Sequence, residues 1–539
     1  MHLSHRRSVQ RAGFADWKRF RSHIRGDRRV TIDFLPGLAR ANPGKKSASE
    51  EDEIPRLYFT DLTALRRSVT IGDVVHELSA AAIAAAESSG LVDGMPFILG
   101  RDDSYDHDLN RFFRACPTMG VRSMNSLKAY GRDILVWMRF LADRRDGKSL
   151  WRADRDDIAA FHEARRLSAP PHRVSATSWN RSIAALDKLY RWAVEESLIL
   201  AAPFTYRQFW SRSPTGKAAR TVSANCAKES GARSGDMRFL DLARYLLFRD
   251  VGLRGRLPDG REDPTWRGRN SERNALFAEL LITTGLRLQE GSSLLANELP
   301  GPDASGDPAI RSCPFHLAPS TAKGGKGRDI RLPLRLVKQL HDYVGVERAN
   351  AAARYQIRDG VGRIARPILV AHHDRRSVII NGNDVATRVS VDGLTPSERA
   401  RLVQDGALTP MSLWLTEGGL PMPMAAWEAV FRRASARCRR FGIDLDVTPH
   451  MLRHSFAVHM LTLLLHQQIG WVLDKRSESV SPAYRRLIGD PLLKLQRLMG
   501  HSRIESTYIY LDHLDESQGL VDAAVDRWGL DLALGDIPQ

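Results

Sequence analysis

The chain has 539 residues, of which 43% are hydrophobic and 27% charged, enough for two to four domains that each bury a core. Lysine and arginine total 80 against 63 acidic residues, a formal charge of +17, and no apolar run approaches the roughly 20 residues of a bilayer span, so a membrane protein is excluded and nucleic acid becomes the favoured partner. Four dispersed cysteines, Cys116, Cys226, Cys313 and Cys438, form no CxxC pair and support neither a zinc ribbon nor a disulfide framework.

Residues 1–104 carry a basic stretch, "RRSVQRAGFADWKRFRSHIRGDRR", and a polar linker, "NPGKKSASEEDE". The start has charges where a secretory segment needs an apolar run, so a cytoplasmic, nucleoid-associated location is expected. "TIGDVVHELSAAAIAAAESSG" predicts one helix ended by Gly90.

Residues 105–205 read as a small helical domain. Leu127, Tyr130, Ile134, Trp137 and Leu141 recur at helical spacing, "RADRDDIAAFHEARR" predicts a second helix, and Ile183, Leu186, Leu189 and Tyr190 line one side of a third. Residues 206–235, rich in Ser, Gly, Ala and basic side chains, predict a flexible basic linker able to follow a phosphate backbone. A larger domain is expected over 236–515, followed by an acidic tail or helix at 516–539.

Four segments of the larger domain carry candidate chemistry. "TGLRLQE" breaks a buried helix at Gly285 and puts Arg287 and Glu290 three apart on one face, where a surface ion pair is the plainer alternative. "KGGKGRDIRLPL" predicts a tight glycine turn, with Lys323 at its tip, before a strand; it lacks the order of a phosphate-binding P-loop. In "DVTPHMLRHSFAVHML", Thr448 is the expected N-cap, Pro449 the first helical residue, and Leu452, Phe456, Met460 and Leu463 the buried stripe. His450 and Arg453 then lie near a helix N-terminus, which favours anions. His450, His454 and His459 lack the acidic or thiol ligands that would favour a metal. In "MGHSRIESTYIYLD", Gly500 ends a helix, His501 follows, and a second helix is expected to hold Tyr508 and Tyr510.

Taken in order, "TGLRLQE", "KGGKGR", "HMLRH" and "MGH" with a tyrosine nine positions beyond the histidine resemble the tyrosine recombinase (phage-integrase) family. The resemblance implies a mainly α fold with a small antiparallel β-sheet in the catalytic domain (α+β), and a helical core-binding domain at 105–205. It implies Tyr510 as the nucleophile (501 + 9 = 510), Arg287, Arg453, His450 and His501 around a phosphate, Lys323 as general acid with Lys326 as the alternative, and Glu290 in support. Tyr508, about 200° around a helix from Tyr510, cannot face the same phosphate. The implied activity is strand cutting and rejoining through a 3′-phosphotyrosine, without metal, ATP or other cofactor. The implied partners are double-stranded DNA, three further copies in a tetramer on two duplexes (a monomer without DNA), and accessory recombination proteins.

Two departures stand out: 127 positions separate Lys323 from His450 (450 − 323), and 51 separate His450 from His501. Both are read as insertions, the first with extra strands. They favour service to a mobile element. A dimer-resolving recombinase, a type IB topoisomerase or an inactive DNA-binding regulator of the same fold stay open.

Overall fold

The computed structural model describes residues 54–514 except 62–68, 72–73, 77–78, 89, 101–103, 122, 171, 212–219, 230–236, 302–310, 358–359, 365, 382–385 and 474–489. The basic N-terminal stretch, most of the second insertion and the acidic tail at 516–539 therefore lie outside the described residues. Two compact units divide at Met1–Gly235 and Asp236–Gln539. Among the described residues no helix is long and apolar enough to cross a membrane.

The first unit begins with strand β1 (Arg56–Phe59), a short pair β2 (Val69–Ile71) and β3 (Val74–His76), helix α1 (Ala80–Ser88), and β4 (Pro96–Leu99), which pairs antiparallel with β1. The single helix expected before Gly90 is thus two strands and then a helix. Its β-branched start, "VTIGDVVH", suits paired extended chain, and only the alanine run turns helical.

Helices α2 (His107–Ala115), α3 (Met124–Arg144), α4 (Arg155–His162) and α5 (Ala176–Glu195) form the bundle. The apolar spacing of α3 works as expected: Leu127, Ile134, Trp137 and Leu141 are buried, against Ile183, Leu186, Leu189 and Tyr190 of α5 in one core. Ser175 caps α5 by accepting the Ser178 N–H. Buried Asn110 ties β4 to α2, accepting the Ile98 N–H at 2.8 Å and donating to the Ile98 carbonyl at 3.0 Å.

The stretch read as a flexible linker is different. Strands β5 (Tyr206–Ser211) and β6 (Arg220–Asn225) pair as an antiparallel hairpin. The Tyr206 hydroxyl and the Asn225 amide both donate to Asp187 of α5, at 2.7 and 2.9 Å, and Trp179 donates to the Ala227 carbonyl at 2.8 Å. Polar and basic composition signals a loop on average, but the β-formers of "YRQFW" and "RTV" give this ribbon strand character, and anchoring to a helix supplies the stability a lone hairpin lacks.

The second unit contains α6 (Leu242–Leu247), α7 (Ser271–Thr284), α8 (Leu288–Ser292), a hairpin of β7 (Ser312–Leu317) and β8 (Arg328–Pro333), and α9 (Leu334–Tyr343). The first insertion holds the expected strands. They are β9 (Ile368–His373), β10 (Ser377–Asn381), β11 (Ala386–Ser390), β12 (Leu402–Gln404) and β13 (Thr409–Pro410), in the order β11-β10-β9-β12-β13. The β9–β12 pair is parallel, so this sheet is mixed.

After it come α10 (Met424–Arg440), α11 (Pro449–Leu473), α12 (Pro491–Met499) and the one-turn α13 (Glu505–Tyr508). The main core centres on Phe277 of α7 stacked on Trp427 of α10, ring centroids 3.7 Å apart, with Trp414 edge-on to both. A second cluster joins Phe456 and Leu461 of α11, Leu495 and Met499 of α12, and Tyr510. Of the expected α11 stripe, Leu452 and Phe456 are buried and Met460 half-buried, but Leu463 is 57% exposed; Ala457 and Leu461 complete the buried face.

Candidate active site

The site forms where four chain segments meet. Gly285 ends α7 in a left-handed conformation, φ +65°, which favours glycine. A Cβ there would also lie 2.3 Å from the Phe456 ring. The tight turn places Arg287 directly before α8. Glu290, three residues on, reaches back to accept the Arg287 backbone N–H and its guanidinium, each at 2.9 Å.

Arg287 and Glu290 are not the surface pair of the plainer alternative, because none of the Glu290 side chain is exposed. Its other contacts come from Arg328 at the start of β8, whose two terminal nitrogens donate to it at 3.0 and 2.7 Å. Arg328 also donates to the Leu498 carbonyl at 2.9 Å, reaching the last turn of α12. Burial alone would raise the Glu290 pKa; Arg328, followed by the Arg287 N–H and charge, outweighs it and holds the carboxyl at about 2.

Arg453 is buried on α11, 4.0 Å from Glu290. It donates to the Gly285 carbonyl and, at 2.5 Å, to the Met499 carbonyl. Burial, then the neighbouring Arg287, pushes its guanidinium down to about 9, so it remains cationic at neutral pH. Thr448 caps α11 as expected, accepting the Met451 N–H at 3.2 Å.

Arg287, His450 and Arg453 line one side of a cleft of about 410 Å³, with Glu428, Arg432 and Asp446 also on its walls. Partial desolvation in the cleft wall, then Arg453, Arg287 and Lys323, lowers the His450 pKa although the residue stays solvent-accessible. Lys323 sits exposed in the turn between β7 and β8, and its charge is felt at His450; Lys326 is exposed in the same turn.

The Gly500 corner ends α12 with φ +63°, and the Arg328 stem lies where a Cβ would project, 2.9 Å away. His501 follows. Its Nδ1 lies 3.0 Å from the Thr507 hydroxyl, and burial, then Arg453 and Arg287, lowers its pKa to about 4. The neutral ring carries one N–H; a Thr507 hydroxyl donating to Nδ1 leaves Nε2 as the donor.

The tyrosines do not share one helix as expected. Tyr508 ends the single turn of α13, and Tyr510 precedes a 3-10 turn at Leu511–His513. Tyr508 is 47% exposed and Tyr510 only 2%. The Tyr510 hydroxyl is 3.2 Å from Nδ1 of His454, and the Tyr510 ring lies nearly parallel to that of His501, centroids 6.1 Å apart. Burial raises the Tyr510 pKa, while Arg453 and Arg287 pull against it.

Sequence reasoning missed three contributors: Arg328, His454 and Thr507. Arg328 closes "KGGKGR" and His454 closes "HMLRH", but nothing local shows what their side chains reach. His459, considered with the other histidines for a metal, meets the Leu240 carbonyl at 2.8 Å. Among the described residues no cluster of His, Cys, Asp or Glu is arranged to hold a metal.

Comparisons with known proteins agree on one lineage. The chain is 23% identical over 382 residues to tyrosine recombinase XerD of Lacticaseibacillus casei, covering 71% of this chain and 85% of the relative. It is 24% identical over 389 residues to tyrosine recombinase XerD of Mycobacterium leprae, covering 72% and 86%. The family described as phage integrase, N-terminal SAM-like domain, matches residues 109–197. This chain is similar to the tyrosine recombinases. Similar solved structures include XerH site-specific recombinase bound to palindromic difH substrate, 14% identical, covering 77% of this chain and 83% of that one, TM-score 0.40. The Tn1549 transposon integrase in complex with transposon right end DNA is also 14% identical, covering 77% and 97%, TM-score 0.42. On that similarity, the cluster of Arg287, Arg453, His450, His501 and Tyr510 is the candidate catalytic centre.

Proposed function

We propose that this chain cuts and rejoins double-stranded DNA through a covalent 3′-phosphotyrosine at Tyr510, in the service of a mobile element. The supporting observation is that Glu290 holds Arg287 and lies 4.0 Å from Arg453, while Arg453 donates to the carbonyl of Met499, which packs in one cluster with the buried Tyr510.

A phosphodiester is anionic and repels nucleophiles. Arg287 and Arg453 would neutralise charge that grows on its non-bridging oxygens as phosphorus becomes five-coordinate. His501, its tautomer set by Thr507, would donate from Nε2 to the same phosphate. Tyr510 would attack, and Lys323 would protonate the departing 5′-oxygen. Lys326, exposed in the same turn, is the alternative acid. A 5′-hydroxyl from another strand reverses the steps. The bond energy is conserved in the phosphotyrosine, so this chemistry needs no nucleotide or metal.

Glu290 is then a positioning group, since it holds Arg287 and Arg328 and faces no substrate. The basic chain would grip the duplex backbone, with four copies on two duplexes and accessory proteins setting direction. The five-stranded insertion supports the mobile-element role over a compact dimer-resolving enzyme, which remains the competing reading.

The test is incubation with DNA carrying an element's own ends, beside a plasmid carrying two directly repeated resolution sites. Covalent adducts and joined end products support the proposal. Resolution of the plasmid without end joining supports the competing role, and supercoil relaxation without pairing of sites would point to a topoisomerase.

A further inference from the structure

The Tyr510 hydroxyl is buried, and among the described residues its hydrogen-bond partner is not His450. It is Nδ1 of His454, at 3.2 Å, with the two rings 5.8 Å apart and tilted by 53°. His450 sits one turn earlier on α11, solvent-accessible in the cleft wall, its ring edge-on to His454 at 4.3 Å. His454 thus meets both Tyr510 and His450, the histidine that the family resemblance places beside the phosphate.

We propose that His454 receives the Tyr510 proton when the hydroxyl attacks DNA, and returns it on rejoining. The inference rests on the strand-transfer reading above. To accept at Nδ1, the imidazole must be neutral and carry its proton on Nε2. Its surroundings enforce neutrality: burial, then His450, Arg453 and His513, lowers its pKa to about 4. An unloaded site therefore holds the tyrosine as a neutral phenol against a weak base. An anionic phosphate beside Arg287 and Arg453 offsets the cations that suppress His454 and strengthens it as an acceptor when substrate is bound.

The step balances. The Tyr510 O–H bond breaks and its proton passes to Nδ1 of His454. The phenolic oxygen bonds phosphorus, the bond from phosphorus to the 5′-oxygen breaks, and Lys323 protonates the leaving oxygen.

The test is single-turnover cleavage of DNA with a 5′-bridging phosphorothiolate at the scissile position. Its thiolate leaves without an acid, so the rate reports proton removal from the tyrosine alone. Wild-type cleavage should fall as the pH drops and His454 becomes protonated. His454→Gln retains a side chain able to bond the hydroxyl but cannot take a proton. It should slow cleavage by ~10²–10⁴ with DNA affinity unchanged, and replace the acid limb by a rate that climbs with hydroxide. His450→Gln, at an exposed position, should keep the acid limb, and it decides the matter if His454→Gln proves poorly folded by thermal melting. Loss of the limb in His450→Gln, or a wild-type rate and profile in His454→Gln, overturns the assignment. Absence of any Tyr510 adduct in the wild type overturns the strand-transfer reading itself, and is seen before a histidine variant is made.

Discussion

Arg328 and Glu290 form a two-pronged ion pair, 3.0 and 2.7 Å, in which 8% of the arginine side chain and none of the carboxylate is exposed. Through its third nitrogen Arg328 also holds the Leu498 carbonyl, so one side chain links the α7–α8 corner to the end of α12, where His501 begins.

Removing Arg328 leaves a buried carboxylate short of its main partner. Arg328→Ala should destabilise the second unit by about 3 kcal/mol in urea unfolding. It should also lower cleavage more than Arg328→Lys, which retains the charge without the fork. Equal stability of Arg328→Ala and wild type would contradict this role.

The same carboxylate gives stability a pH signature. The Glu290 pKa falls from 4.5 to about 2 on folding, so its contribution is complete above the unfolded value and is lost as pH drops through 4.5 toward 2. The size is about 3 kcal/mol. Denaturant midpoints measured down this range should fall steeply in wild type and less in Glu290→Gln, which starts from a lower stability at neutral pH.

Gly285 supplies both a left-handed turn and the carbonyl that holds Arg453. Gly285→Ala adds backbone strain of about 1–2 kcal/mol and drives a methyl into Phe456. A loss of at least that size in unfolding is expected, with a drop in cleavage as Arg453 shifts.

Thr507 is fully buried, and its hydroxyl meets His501. Thr507→Val keeps the shape and removes the hydroxyl, so cleavage should fall roughly tenfold, the value of one hydrogen bond. Thr507→Ser should recover most of that loss in the same single-turnover assay.

Local patterns were legible in the sequence. Spacing placed Arg287 beside Glu290, capping chemistry started α11 at Thr448–Pro449, and alternation marked β8. What stayed hidden is long-range. Arg328 meets Leu498 across 170 positions, and His454 meets Tyr510 across 56. Composition also misled where it overrode propensity, as at the β5–β6 hairpin, and periodicity ran one turn too far at Leu463. The burial contrast between Tyr508 and Tyr510 needed coordinates, because neither belongs to a helix long enough for rotation to decide.

The central claim is that Tyr510 is the attacking group. Its most direct measurement is covalent capture on a suicide DNA substrate with wild type, Tyr510→Phe and Tyr508→Phe. Wild type and Tyr508→Phe should form the adduct, while Tyr510→Phe binds DNA and forms none. An adduct that survives Tyr510→Phe and disappears in Tyr508→Phe would contradict the account.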